Sequence, residues 1–264
     1  MLVVQISDLH IAAPGRKTLG QAPMAENLSL CIKRINRLIP RVDLVIITGD
    51  ITQDGTREEA EHAARLLAQL DAPFTLIPGN HDRRDVLWSV FGGTACPARE
   101  SGFLSHVTEL EGLRLIAMDS QREGAPGGEI CATRADWLTA RLKEAPDRPT
   151  AIFLHHPPTR MGVVESDVDG FVGAKRLGRI IGAHACIQGV FCGHIHLAAH
   201  TDWQGTTVST APSMGMQLVP DLSLQNPSRY ELAVPGFQML LWQPGGSLVT
   251  HTAYASVLEG PFDF

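Results

Sequence analysis

Phe74-Thr75-Leu76-Ile77-Pro78-Gly79-Asn80-His81-Asp82 is the stretch whose reading decides the fold. A short apolar run, strand-like over 74–77, stops at a glycine. An amide, an imidazole and a carboxylate then follow in direct succession. Four other segments have the same build. Asp8-Leu9-His10 follows the apolar run 2–7, and Gly49-Asp50 follows 43–48. His155-His156 follows 150–154, and Gly193-His194-Ile195-His196 follows 187–192.

Helical periodicity fills the intervals. Residues 24–39 align Leu28, Cys31, Ile32, Ile35 and Leu38 on one face, and 57–70 align Ala60, Ala63, Ala64, Leu67 and Leu70. Residues 133–145 and 173–183 are two more helix candidates, and 113–118 is a further strand. Strands alternating with helices predict an α/β layered fold. In such sheets, ligands gather beyond the carboxyl ends of the strands. Five strand ends delivering Asp, His and Asn therefore predict one site. In Asp8-Leu9-His10 and His194-Ile195-His196 the reading expects extended backbone, which points both side chains of each pair the same way. Gly49, Gly79 and Gly193 mark places where the chain turns sharply or passes close to a ligand.

The donor set mixes carboxylate, imidazole and one amide oxygen. That suits zinc, manganese, iron or cobalt better than calcium or magnesium, which prefer all-oxygen shells. No thiolate takes part, so a structural zinc is disfavoured.

The order D-x-H, G-D, G-N-H-[DE], H, G-H-x-H, running from residue 8 to residue 196, resembles the calcineurin-like metallophosphoesterase superfamily. The resemblance implies a four-layer α/β/β/α sandwich with a two-metal site at one sheet edge. It implies Asp8, His10, Asp50 and His196 on one metal ion and Asp50, Asn80, His155 and His194 on the other, with Asp50 bridging. Two divalent ions less Asp8, Asp50 and a bridging hydroxide leave roughly +1 at the site, which attracts a phosphodiester anion. The hydroxide would be the nucleophile.

Within the superfamily, purple acid phosphatases carry Tyr three residues after the bridging Asp. Here that residue is Gln53. The run Gly49-Asp50-Ile51-Thr52-Gln53-Asp54-Gly55 is unlike that of the Ser/Thr protein phosphatases. It resembles the class III cyclic nucleotide phosphodiesterases and their glycerophosphodiesterase relatives, as do His155-His156-Pro157-Pro158 and the tail 235–242. The expected activity is hydrolysis of small phosphodiesters, 3',5'-cyclic nucleotides or glycerophosphodiesters. His81 is expected to act as a catalytic acid, with Asp82 either orienting its ring or capping a helix over 83–91. His156 and Arg160 are expected substrate contacts, and the aperiodic stretch 157–172 is expected to lie over the pocket. His62, His106, His184, His200 and His251 read as surface or satisfied core residues.

The alternatives on this fold are a metal-dependent nuclease, a phosphomonoesterase and a scaffold that has lost its ligands. The chain has 22 basic and 28 acidic residues, a net charge of −6 and no basic run, which argues against binding a nucleic-acid duplex. Every ligand position is filled, which argues against a scaffold. Five scattered cysteines without CxxC spacing fit free thiols in the cytoplasm. No apolar run reaches membrane-spanning length. Residues 1–210 are expected to form the catalytic core. After 197 the chain turns to short β segments (206–210, 229–234, 237–243, 247–254) separated by Pro235-Gly236 and Pro244-Gly245-Gly246. Residues 211–264 are thus expected to complete the sandwich or to form a dimer contact.

Overall fold

Strands whose two faces are both covered need apolar side chains on both faces, and this chain supplies them. In the computed structural model, which describes residues 1–243, 245–256 and 262, the first half alternates β1 (Leu2–Ile6), α1 (Met24–Ile35), β2 (Leu44–Thr48), α2 (Arg57–Leu67), β3 (Phe74–Ile77) and α3 (Arg84–Phe91). The second half runs β4 (His106–Leu110), β5 (Leu113–Ala117), β6 (Gly128–Glu129), α4 (Ala132–Glu144), β7 (Thr150–Phe153), α5 (Val164–Asp167), β8 (Phe171–Val172), α6 (Ala174–Gly182), β9 (Ile187–Cys192), β10 (Ala199–Trp203) and β11 (Thr206–Thr210). The tail adds β12 (Met216–Leu218), β13 (Tyr230–Leu232), β14 (Gly236–Gln243) and β15 (Ser247–Tyr254).

Two sheets result, ordered β15-β14-β1-β2-β3 and β10-β11-β9-β7-β5-β4. Within the first, β1, β2 and β3 are parallel, and β14 returns antiparallel to β1 with Val3 opposite Leu240. Within the second, β5, β7, β9 and β11 are parallel. Alternation along each strand divides its side chains between two cores. Val4, Ile6, Val45 and Ile47 face α1 and α2, whereas Val3, Leu44 and Ile46 meet Leu115, Phe153 and Phe191 between the sheets. Ile116, Ile152, Leu154 and Val190 pack under α4 and α6 in a third core. Three cores between four layers make the α/β/β/α sandwich.

The expected strands and helices lie close to the observed ones. Helix α1 stops at Ile35 rather than continuing to 39, because the backbone tightens there to a three-residue repeat, Arg37 N bonding Arg34 O and Leu38 N bonding Ile35 O, both at 3.1 Å. Strands β4, β10 and β12 were not legible. The stretch 157–172 is not featureless, since it holds α5 and β8, and β8 pairs in parallel with β6. Pro244, expected in a turn, lies outside the described residues, as do 257–261, 263 and 264 of the tail.

Candidate metal centre

The carboxyl ends of β1, β2 and β3 meet those of β7 and β9 at one edge of the sandwich. Gln5 fastens the two sheets there, its side-chain amide donating to Thr48 Oγ1 and to Cys192 O, both at 2.9 Å. Just above, Asp8 accepts from the backbone N–H of His194 at 3.1 Å. The seam between the sheets and the site thus share their hydrogen bonds.

Ligand atoms of Asp8, His10, Asp50 and His196 lie within 4.8 Å of one another, and so do those of His155, His156 and His194. Asp50 reaches toward both groups, its Oδ2 lying 3.5 Å from His10 Nε2 and 3.3 Å from His155 Nε2. Asn80 Oδ1 is 3.0 Å from His155 Nε2. The sequence-expected residues Asp8, His10, Asp50, Asn80, His155, His194 and His196 are therefore brought together.

The backbone that does this differs from the expected one. Neither Asp8-Leu9-His10 nor His194-Ile195-His196 is extended. Strands β1 and β9 end before them, and Asp8 (φ 55°), His10 (42°), Asp50 (49°), His194 (72°) and His196 (56°) are all left-handed. Asp and His are among the residues that tolerate this region best. The chain folds back at each strand end instead of running on. Glycine is required where these turns interlock. A Cβ at Gly193 would sit 1.8 Å from Ser7 Oγ and 2.8 Å from Asp8 Oδ2, and one at Gly79 would sit 2.1 Å from Asp50 Oδ1.

Among the protein groups alone, burial pushes the Asp8 carboxyl up and the His10 ring well down. Burial acts in the same direction on Asp50, but His155, His10 and His81 overcome it and hold its carboxyl well below the usual range. Burial lowers His155, but Asp50 outweighs it and raises the ring to about 9.

Three expected roles are corrected. Asp82 neither holds the His81 ring nor caps α3. Its Oδ2 accepts from Ile51 N (3.1 Å) and Gly79 N (2.9 Å), and its Oδ1 from Thr52 N (2.9 Å) and Thr52 Oγ1 (2.7 Å). It ties the loop after β2 to the loop after β3, and α3 begins with no side-chain cap. His156 is not a free substrate contact. It is buried, with Nδ1 at Ser120 Oγ (2.9 Å) and Nε2 at Pro126 O (3.1 Å). It buttresses His155 and His194, with ring centroids 4.6 Å from each. Arg160 is exposed and does not line the cavity over the clusters.

His81 does line that cavity, which measures ≈ 300 Å³. Its Nδ1 is 2.8 Å from Gln53 O, and its backbone N–H donates to Asp50 Oδ1 at 2.9 Å. Burial lowers its pKa, but Asp50, the Gln53 carbonyl and Asp82 together leave it raised. Glu165, Asp169, Arg229 and Tyr230 also line the cavity and were missed. Glu165 and Asp169 come from the stretch expected to lie over the pocket, whereas nothing near Arg229 and Tyr230 signals the site.

The sequence model described as Calcineurin-like phosphoesterase matches residues 1–198. The chain is 36% identical, over 265 residues covering 100% of it and 97% of the relative, to a probable glycerophosphodiester phosphodiesterase GpdQ of Arcobacter nitrofigilis. It is 28% identical to the 3',5'-cyclic adenosine monophosphate phosphodiesterase CpdA of Escherichia coli K12, over 94% of this chain and 87% of that one. Its fold matches the crystal structure of a dimetal phosphatase from Danio rerio with a TM-score of 0.66 at 17% identity, covering 97% and 99% of the two chains.

Proposed function

The chain belongs to the calcineurin-like phosphoesterase family, and from that premise we propose that it is a dinuclear-metal phosphodiesterase acting on small diesters, glycerophosphodiesters or 3',5'-cyclic nucleotides. The observation that carries this is the convergence of two donor groups on Asp50. Asp8, His10, Asp50 and His196 would hold one ion, and Asp50, Asn80, His155 and His194 the other. The residues fit such ions. His10 Nε2 and His196 Nε2 face each other at 3.1 Å, an arrangement a cation between two lone pairs satisfies. Iron, manganese, zinc and cobalt all suit the donors. Bound there, the pair supplies a hydroxide nucleophile at neutral pH and neutralises charge on the phosphoryl oxygens.

The protein groups do the rest. Gln53 O on Nδ1 orients the His81 ring and favours its protonated form. From beside Asn80, that ring donates a proton to the departing alkoxide. Arg229 stands at the cavity wall in place of the expected Arg160, a cation suited to a phosphodiester anion. Among the described residues no helix is long and apolar enough to cross a membrane, and all five cysteines are free. These observations support a cytoplasmic enzyme. The test is metal-reconstituted protein assayed on cyclic AMP, glycerophosphocholine, bis(p-nitrophenyl) phosphate and a phosphomonoester. Faster turnover of the monoester than of every diester would overturn the reading.

A further inference from the structure

Each of the four histidines of the proposed ligand set has one ring nitrogen held by an acceptor outside that set, and the pattern has one exception. His10 Nδ1 lies 3.2 Å from Gln53 Oε1, His155 Nδ1 lies 2.7 Å from Thr48 O, and His196 Nδ1 bonds Met216 O. In all three the Nε2 is left facing the carboxylates. His194 is reversed. Its Nε2 is the tied atom, 3.2 Å from Glu165 O. A neutral imidazole has one N–H, so donation from Nε2 leaves the lone pair on Nδ1.

The acceptors differ in a second way. Thr48 ends β2, and Gln53 N is itself bonded to Ile11 O at 3.2 Å. Glu165 belongs to the four-residue helix α5, in the excursion between β7 and β8. That excursion is closed mainly on itself. Asp167 Oδ1 accepts from Met161 N (2.9 Å), Gly162 N (3.1 Å) and Ser166 Oγ (2.7 Å), and Ser166 Oγ accepts from Met161 N (3.1 Å).

We infer that the Glu165 carbonyl is a positioning group: the 159–170 excursion clamps His194 in the tautomer that presents Nδ1 to the second metal ion, so order in the excursion and occupancy of that ion are linked. The inference rests on the proposed ligand set. Linkage is reciprocal, so metal tightens the excursion and a loosened excursion weakens the metal.

The test reads metal rather than turnover. Full-length protein freed of metal is titrated with Mn²⁺ by calorimetry, and hydrogen exchange is followed over 159–170. Asp167→Ala, which removes the buckle without touching the cavity, weakens one of the two ions by about ten-fold or more and leaves the other unchanged. Ser166→Ala is the milder version should Asp167→Ala melt early. In wild type, metal slows exchange across 159–170. Wild-type affinity for both ions in Asp167→Ala and Ser166→Ala, or exchange that metal does not alter, overturns the clamp while leaving the diesterase reading intact. Wild-type protein that takes up fewer than two ions overturns both the ligand set and the clamp.

Discussion

The two sheets supply different chemistry to the site. The sheet holding β1, β2 and β3 delivers Asp8, His10, Asp50, Asn80 and His81, which include every carboxylate and the amide of the candidate ligand set. The sheet holding β7 and β9 delivers His155, His156, His194 and His196, imidazoles only. In the proposed assignment one side carries the charge that would hold two cations, and the other carries imidazoles that can bind only when neutral. The candidate centre therefore depends on the two sheets being packed face to face, with Gln5 and Asp8 bonding across the seam at their common edge.

The strongest way to break this comparison is to remove the shared carboxylate. Asp50→Ala should lose both metal ions and all metal-dependent activity, read by elemental analysis and a diester assay. Two ions retained would mean that the first sheet does not supply the bridge. A milder change strikes the imidazole side. His155→Ala should lose the second ion and keep the first, so a loss of both would show that the halves are not separable.

His81 separates chemistry from coordination within the first sheet. His81→Ala should cut kcat on an alkyl or nucleotide diester by about 10² to 10⁴, the range for a lost general acid. It should alter bis(p-nitrophenyl) phosphate far less, because nitrophenolate leaves without a proton, and metal content should stay near normal. Equal losses on both substrates would point to phosphate positioning instead.

The buried histidine of β4 tests the same asymmetry without any metal. Burial lowers the His106 ring from 6.5 to about 4. Its contribution is complete above pH 6.5 and is lost as pH falls toward 4, because the unfolded chain takes the proton first. Metal-free protein should lose about 2 kcal/mol of stability between pH 7 and 5 from this group. His106→Gln should flatten that slope in denaturant melts. The smallest effect is spectroscopic. Gln53 stands where a tyrosinate ligand would, so iron-loaded protein should lack a purple band. If a band appears, its loss in Tyr230→Phe would trace it to the cavity's own tyrosine.

The sequence revealed which residues meet, because each cluster follows an apolar run long enough to be a strand and parallel strands point their ends to one edge. It did not reveal how they meet. Asp8-Leu9-His10 reads equally well as extended chain or as a left-handed turn, and only packing against Gly193 and the Asp50 loop decides. Asp82 misleads for a related reason: its neighbour in sequence is His81, but three of its four side-chain bonds come from Ile51 and Thr52, about thirty residues away in the loop after β2. Strand β10 (Ala-His-Thr-Asp-Trp) lacks an apolar signature, and β12 is too short to carry one. Glu165, Arg229 and Tyr230 reach the cavity through tertiary packing that local sequence cannot express.

The left-handed turns at Asp8 and Asp50 have a consequence for how ligand knockouts are read. Alanine at either position takes away a donor and also places a residue with little tolerance for positive φ where the chain must fold back, at a cost on the order of 1 kcal/mol or more. Asparagine accepts the same backbone and keeps nearly the same shape while giving up the charge. The difference between the Asn and Ala variants at one position therefore separates the electrostatic role of the ligand from its role as a hinge of the fold, two penalties that an alanine scan alone would merge.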